Sequence, residues 1–136
     1  MAIKSYRGSC HCGRVKFEAD IDLAEGTGKC NCTLCWKKRA WTVRARPEHF
    51  RPLGGEQELS GYRPDNPRGH TGFCKHCGIF PYAWVPRSEW NEAEYVSVNV
   101  AALDDLDPAE LVAAPVRHYD GRANNWWNPP AETRHL

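Results

Sequence analysis

The most informative stretch of the sequence contains a closely spaced pair of cysteines and reads Gly8-Ser9-Cys10-His11-Cys12-Gly13-Arg14-Val15. Two cysteines separated by a single residue and flanked by glycines can turn both sulfurs toward one point. A tetrahedral zinc ion with Zn–S bonds of ~2.3 Å holds its sulfurs roughly 3.8 Å apart, a spacing that a tight turn satisfies. We therefore interpret this stretch as one half of a metal site, placed directly before a strand.

A second turn of the same kind lies much further along the chain, at Phe73-Cys74-Lys75-His76-Cys77-Gly78. Pairing the two turns completes a site of four thiolates, Cys10, Cys12, Cys74 and Cys77. Structural zinc contributes ~10–16 kcal/mol of apparent binding energy to a fold that preorganises its ligands. For a chain of 136 residues this is comparable with the total stability. The sequence thus predicts a structural zinc that bridges distant parts of the chain.

The remaining three cysteines lie together in Cys30-Asn31-Cys32-Thr33-Leu34-Cys35. No fourth cysteine is left to complete this group, and three protein ligands with an open position are the arrangement of catalytic zinc. We therefore predict that Cys30, Cys32 and Cys35 hold a catalytic metal.

Two alternatives stay open for this middle cluster. A histidine could supply a fourth ligand and make both zinc ions structural, or the three thiols could form a redox group without metal. The six candidate histidines are His11, His49, His70, His76, His118 and His135. His11 and His76 lie inside the cysteine turns, so we expect them to be exposed or to contact ligands rather than to take part in catalysis.

Length and composition narrow the class of protein. With 136 residues, 41% hydrophobic and 26% charged, the chain is expected to form one globular domain over residues 1–136. A formal charge of +1 offers no basic face for a nucleic acid or an acidic membrane. The longest apolar stretch, residues 79–85, is too short for a membrane span, and no secretory signal is evident. An odd number of cysteines and no signal favour the reducing cytoplasm.

Hydrophobic periodicity predicts a mostly β fold. Apolar and polar residues alternate over residues 15–21, 41–46 and 96–100, as in strands with one buried face. Residues 79–85 predict a further strand, pushed to an edge by Pro81, and residues 58–63 a weaker one. We expect an antiparallel sheet. One short helix is indicated by Asp107 as cap, Pro108 at the first position, Glu110 in a capping box and a stop at Pro115.

Aromatic and basic residues offer further candidates for the site. Most of the six tryptophans are expected to pack in the core or in a lid, while Trp36 directly follows Cys35 and could wall the open metal position. Five arginines could hold a substrate carboxylate through bidentate contacts, although each taken singly is better explained as a solvated surface residue. They are Arg44, Arg46, Arg63, Arg68 and Arg122.

The three cysteine clusters, in this order, resemble the glutathione-dependent formaldehyde-activating enzyme family, also called the GFA or CENP-V domain family. The stretch of residues 95–106 also looks like the family. The resemblance implies an Mss4-like fold of antiparallel sheets, structural zinc on Cys10, Cys12, Cys74 and Cys77, and catalytic zinc on Cys30, Cys32 and Cys35. It further implies condensation of glutathione with formaldehyde to S-hydroxymethylglutathione, a carbon-sulfur lyase reaction written in reverse.

Two functions from different classes follow from these observations. The first is a zinc-dependent carbon-sulfur lyase that acts on a thiol-aldehyde adduct and takes a small-molecule thiol such as glutathione as its partner. The second is a non-catalytic binding module in which zinc serves only to stabilise the fold. Nucleic-acid binding is the least supported function, because the charge is near neutral and no recognition helix is evident.

Overall fold

The structure is a computed structural model that describes residues 3–62, 71–89 and 91–136. Within these ranges, ten strands and two short α-helices form the regular structure, joined in part by single-turn 3-10 helices. In chain order the elements are β1 (Lys4–Ser9), β2 (Lys16–Ile21), β3 (Thr27–Cys30), α1 (Thr33–Lys38), β4 (Thr42–Ala45), β5 (Phe50–Gly54), β6 (Leu59–Tyr62), β7 (Thr71–Cys74), β8 (Tyr82–Val85), β9 (Tyr95–Asn99), α2 (Pro108–Ala113) and β10 (Val116–Tyr119). The expected mostly β fold with cysteine turns is confirmed.

The strands form three sheets. One sheet has the order β1-β2-β5, a larger one has the order β10-β3-β4-β9-β8, and β6 pairs with β7. The pairing β1-β2 is antiparallel in an unbroken register from Lys4 opposite Ile21 to Ser9 opposite Lys16. The cysteine-bearing turn after β1 therefore lies at one end of a regular hairpin.

The core lies between the first two sheets. Phe17 and Ala19 on β2 and Val96 and Val98 on β9 are fully buried. The Phe17 ring stacks on Phe50 with centroids 5.5 Å apart, which fixes the contact between β2 and β5. These are the apolar faces that the alternating patterns predict, because successive side chains of a strand point to opposite sides.

One helix was expected, and the described residues contain two. The additional helix, α1, begins in the middle cysteine cluster and is capped by Cys32, whose sulfur accepts a 3.3 Å hydrogen bond from the Cys35 amide. Its other end closes on Arg39, which adopts a left-handed conformation with φ of 56°. Sequence reasoning missed this helix because cysteine is not among the residues that usually cap helices.

One pairing departs from the antiparallel arrangement. β10 runs parallel to β3, with Tyr119 opposite Cys30. A parallel pair needs a long connection, and here residues 31–115 lie between the two strands. No local pattern signals such a contact. The pairing matters for function because it brings the segment after β10 beside the middle cysteine cluster.

Two smaller details also differ from the expectations. Asp107 caps α2 by accepting from the Ala109 amide, as predicted, but the Glu110 carboxylate accepts hydrogen bonds from Lys4 and the Tyr6 hydroxyl. β8 lies at the edge of its sheet, as predicted, but it begins at Tyr82, just after Pro81. In the part of the chain that the structure describes, neither helix has the length or the apolar composition to cross a bilayer.

Candidate metal centre

The first and third cysteine clusters meet in one site. Cys10 and Cys12 lie in the turn after β1, while Cys74 ends β7 and Cys77 lies in the turn that follows. The Cys12 sulfur is 3.6 Å from that of Cys10 and 3.7 Å from that of Cys74. All four sulfurs lie within 4.8 Å of one another. These separations match those around a tetrahedral zinc ion, so the donor set fits this metal.

Both turns are shaped by glycine. Gly13 has φ of 81° and Gly78 has φ of 78°, a region that side chains disfavour. The Gly13 amide donates to the Cys10 carbonyl at 3.2 Å and the Gly78 amide donates to the Cys74 carbonyl at 2.7 Å. Each turn thus closes on its own first cysteine, and this closure aims both sulfurs of the turn in one direction.

Backbone amides stabilise thiolates in this cluster. The Val15 amide donates to the Cys10 sulfur at 3.3 Å. Hydrogen bonds from the Cys12 and Ile79 amides lower the pKa of Cys77 to about 6. Burial raises the pKa of Cys74 to about 11. A bound cation would favour the thiolate of Cys74, whose burial opposes ionisation.

The middle cluster contains three sulfurs. Cys30 ends β3, Cys32 caps α1 and Cys35 lies in the first turn of α1, with all three sulfurs within 4.8 Å of one another. The Cys32 amide donates to the Cys30 sulfur at 3.4 Å. Among the described residues, no fourth cysteine, histidine, aspartate or glutamate joins this group. Three soft sulfur donors at this spacing also fit zinc.

The pKa values of Cys30 and Cys35 are shifted in opposite directions. A hydrogen bond from the Cys35 thiol lowers the pKa of Cys30 to about 5, assisted by the Cys32 and Gly121 amides. The same interaction, together with burial, raises the pKa of Cys35. The hydrogen bond between them therefore favours the thiolate at Cys30 and the thiol at Cys35. A metal ion that replaces the thiol proton would release it to solvent.

Two cavities border the middle cluster. A cleft of about 510 Å³ is lined by Cys30 and Cys35 but not by Cys32. Lysines and arginines outnumber acidic residues five to three along its walls. The Lys38 ammonium lies 4.6 Å from the centroid of the Phe80 ring, and burial lowers the pKa of this lysine. The cleft therefore offers an anionic molecule a route to the sulfurs.

A smaller cavity of about 210 Å³ lies against the same two sulfurs and is bordered by Trp36. The Trp36 indole is 36% exposed, and its ring lies 4.4 Å from the Arg122 guanidinium and 4.5 Å from the His135 ring. Trp36 thus forms a wall beside the cluster, as the sequence suggested. Trp90 lies outside the described residues.

The histidines take varied positions. His11 and His76 are exposed, and His76 Nε2 lies 2.7 Å from a Glu58 carboxylate oxygen. His49 lines the large cleft. His118 lies on β10 with a pKa lowered by burial and by the nearby Lys29. His70 lies outside the described residues, and none of the described histidines completes the middle cluster.

Two of the candidate arginines line the cleft. Arg44 and Arg46 do so from β4 and the residue after it, and the Arg44 guanidinium lies 4.4 Å from the Tyr95 ring centroid. Arg122 lies over Trp36 at the other side of the cluster. Arg63 and Arg68 fall outside the described residues.

Sequence reasoning missed two residues beside the middle cluster. Asn31, between two of the cysteines, is 8% exposed. Gly121 follows β10 and approaches the Cys30 and Cys32 side chains closely. The only available signals were a polar residue between two cysteines and a glycine after an aspartate, and neither is specific.

Comparisons with known proteins agree with this arrangement. A family model described as glutathione-dependent formaldehyde-activating enzyme matches residues 5–119, which include all seven cysteines. The crystal structure of a Rhodobacter sphaeroides protein is similar in fold, with 30% sequence identity and a TM-score of 0.66. The match covers 82% of this chain and 99% of that protein. The order of the cysteine clusters, their meeting in space and the family match together show that the chain belongs to the glutathione-dependent formaldehyde-activating enzyme family.

Proposed function

We propose that this protein is a zinc-dependent enzyme of the carbon-sulfur lyase type. Its substrate would be a thiol-aldehyde adduct such as S-hydroxymethylglutathione. In this proposal Cys10, Cys12, Cys74 and Cys77 hold a structural zinc ion, and the middle cluster holds a catalytic one. A reducing compartment such as the cytoplasm suits a chain whose seven cysteines are all free.

The unequal division of sulfurs carries the proposal. One cluster has four sulfurs, two of them on buried residues, and is complete as a tetrahedral site. The other has three half-buried sulfurs, two of which border a cleft, with no further ligand among the described residues. An incomplete site that faces a cavity is the arrangement that catalysis requires, whereas a structural site is closed.

When bound, zinc would supply a Lewis acid that favours thiolate over thiol or polarises an aldehyde oxygen. Cys30, Cys32 and Cys35 would hold the metal, and the backbone amides directed at their sulfurs would offset their negative charge. In the condensation a carbon-sulfur bond forms as the thiol loses its proton and the aldehyde oxygen gains one. The reverse direction breaks that bond and returns the thiol and the aldehyde.

The cleft supports an anionic thiol as the partner. Lysines and arginines on its walls would bind carboxylates, and glutathione carries two of these in addition to its thiol. Lys38 is placed for this role because the same cleft contains Cys35, one helical turn before it. A carboxylate bound there would keep the thiol of the same molecule near the open side of the cluster.

Substitution of one sulfur in the middle cluster tests the proposal. Freshly purified wild-type protein is expected to contain two zinc ions per chain, and X-ray absorption should show one with an exchangeable ligand. Cys32→Ser should keep the fold and one zinc, and should lose binding of S-hydroxymethylglutathione. Thr33→Ala, at the exposed neighbouring position, serves as the matched control and should behave as wild type.

Two results would contradict the enzymatic proposal. The first is a second zinc ion fully enclosed by protein ligands, with no exchangeable position. The second is global unfolding of Cys32→Ser, which would assign the middle cluster to a structural role and favour the non-catalytic binding module.

A further inference from the structure

Asn31 ties the middle cluster to a single distant segment. Its side-chain Nδ2 donates to Asp120 at 2.8 Å, and its Oδ1 accepts from the Arg122 amide at 3.0 Å. Its backbone amide donates to the Tyr119 carbonyl at 3.1 Å, and its carbonyl accepts from Arg122 Nε at 3.1 Å. All four bonds from this buried residue reach residues 119–122. Asn31 therefore acts as a clamp between the cysteine turn and the end of β10.

The clamp sets the position of Gly121. The backbone of Gly121 packs closely against the Cys30 sulfur. A Cβ at this position would lie 2.7 Å from the Cys30 sulfur, 2.7 Å from the Trp126 ring and 3.2 Å from the Cys32 Cβ. The close approach therefore requires glycine. Any side chain here would push residues 120–126, the loop that follows β10, away from the cluster.

The loop closes one side of the cluster. An isolated bridge joins Asp120 to Asn125, and the Trp126 indole donates to the Asn124 side chain at 2.9 Å, which holds the aromatic ring against the loop. The large cleft meets Cys30 and Cys35 and not Cys32. The loop therefore lies against Cys30 and Cys32, while Cys30 and Cys35 border the cleft.

We propose that Asn31 is a positioning residue that, through Asp120 and Arg122, holds the backbone of Gly121 against the Cys30 sulfur and so preorganises the three-sulfur site for metal. This inference rests on the proposed function, since it requires that the middle cluster binds a metal. Residues that surround a metal ligand fix its orientation, and the loss of such a partner typically lowers metal affinity about 10- to 100-fold. Asn31 itself donates no ligand.

Cobalt(II) titration of the metal-free protein, under anaerobic reducing conditions, tests this role. Visible absorption reports thiolate coordination at each site, and competition with a chelator gives both affinities. Asn31→Ala is expected to bind the second cobalt ion about 10- to 100-fold more weakly, while the four-cysteine site stays unchanged. Asp120→Asn keeps an oxygen acceptor for the Asn31 amide and should stay close to wild type.

Gly121→Ala provides an independent test, because it keeps Asn31 itself and displaces the loop directly through one methyl group against the Cys30 sulfur. It should also weaken only the second site. If Asn31→Ala fails to fold, a selective loss in Gly121→Ala still supports the proposal. Unchanged second-site affinity in Gly121→Ala, or in a folded Asn31→Ala, would overturn it, as would equal weakening of both sites. Uptake of only one cobalt ion by wild type would overturn the proposed function together with this inference.

Discussion

The indole N–H of Trp41 donates a 2.7 Å hydrogen bond to the hydroxyl of Thr27. That hydroxyl in turn donates to the Pro115 carbonyl at 3.1 Å, directly before β10. The Lys29 ammonium lies 4.3 Å from the centroid of the Trp41 ring. These contacts connect the start of β4 with the parallel pair β3-β10, which positions Cys30 and Gly121. The buried Thr27 hydroxyl thus supports the strand pair on which the middle cluster is built.

Thr27→Val should destabilise the protein, because it removes the hydroxyl while keeping the shape of the side chain. The indole N–H of Trp41 loses its partner, and an unsatisfied donor of this kind costs about 1–3 kcal/mol. Urea unfolding of the metal-saturated protein would measure the change. Thr27→Ser, which keeps the hydroxyl, is the control. A Thr27→Val protein as stable as wild type would contradict a stabilising role for these hydrogen bonds.

Gly8→Ala should strongly destabilise the first sheet. A Cβ at Gly8 would lie 2.2 Å from Cζ of the buried Phe17 ring and 2.8 Å from the Ala102 carbonyl oxygen. Overpacking of this severity is expected to cost about 3 kcal/mol or more. Gly28→Ala is the matched control in another strand, because the closest contact of its Cβ would be milder, at 3.2 Å from the Tyr119 ring. Comparable thermal stability of the two variants would contradict this account.

Removal of metal should occur in two steps. The three-sulfur site borders the cleft, whereas the four-sulfur site includes buried Cys10 and Cys74 and joins turns distant in sequence. A chelator is therefore expected to remove zinc first from the three-sulfur site, with little change in far-ultraviolet circular dichroism. Removal of zinc from the four-sulfur site should follow, with loss of the fold. Parallel metal analysis and circular dichroism would follow both steps. Loss of structure with the first ion would contradict this assignment of roles.

Asp20 should make stability depend on pH in the acidic range. Hydrogen bonds from Arg51, and to a lesser extent Ser5, hold the pKa of Asp20 below its usual value. A carboxyl whose folded-state pKa is lowered stabilises the protein above its unfolded pKa of about 3.9, and the effect is lost as pH falls below that value. Asp20→Asn should therefore lower the melting temperature at neutral pH, and the difference from wild type should shrink below about pH 4.

Melting curves of wild type and Asp20→Asn over the acidic range would check this expectation. Glu94→Gln, at an exposed position, corrects for the loss of one negative charge. Acid release of metal affects all three proteins and cancels from the differences. A difference that stays constant down to the lowest pH would show that the Arg51 contact does not act through ionised Asp20.

Lys38→Met should weaken substrate binding if the cleft receives the carboxylates of an anionic thiol. A hydrogen bond to a charged group contributes about 1.5–3 kcal/mol, so KM for S-hydroxymethylglutathione should rise at least about 10-fold with a smaller change in kcat. Lys37→Met removes the same charge from a neighbouring exposed position that does not line the cleft. Steady-state kinetics of both variants would separate a local contact from a general effect of charge.

Several features could be predicted from the sequence because they depend on neighbours in the chain. Alternation of apolar and polar residues in β2, β4 and β9 predicts which faces are buried, and Asp107 with Pro108 predicts the start of α2. The spacing of the cysteines, with glycines beside two of the turns, predicts how the sulfurs group. Since those two turns account for four of the seven cysteines, the other three remain as a second group. In the structure, the sulfurs within each group lie at metal-binding distances from one another.

Other features depend on contacts between distant residues, and no local pattern announces them. The parallel pairing of β10 with β3 brings residues 119–122 onto Asn31, although some 90 residues separate them. The cap of α1 by Cys32 depends on a sulfur that the cluster already orients. Which residues can bind metal and which faces of the strands can be buried follow from side-chain chemistry and local spacing, so both could be predicted from the chain. Which side of the three-sulfur cluster is covered and which faces the cleft depends on the fold, because β3 and β10 are far apart in the sequence and meet only in space.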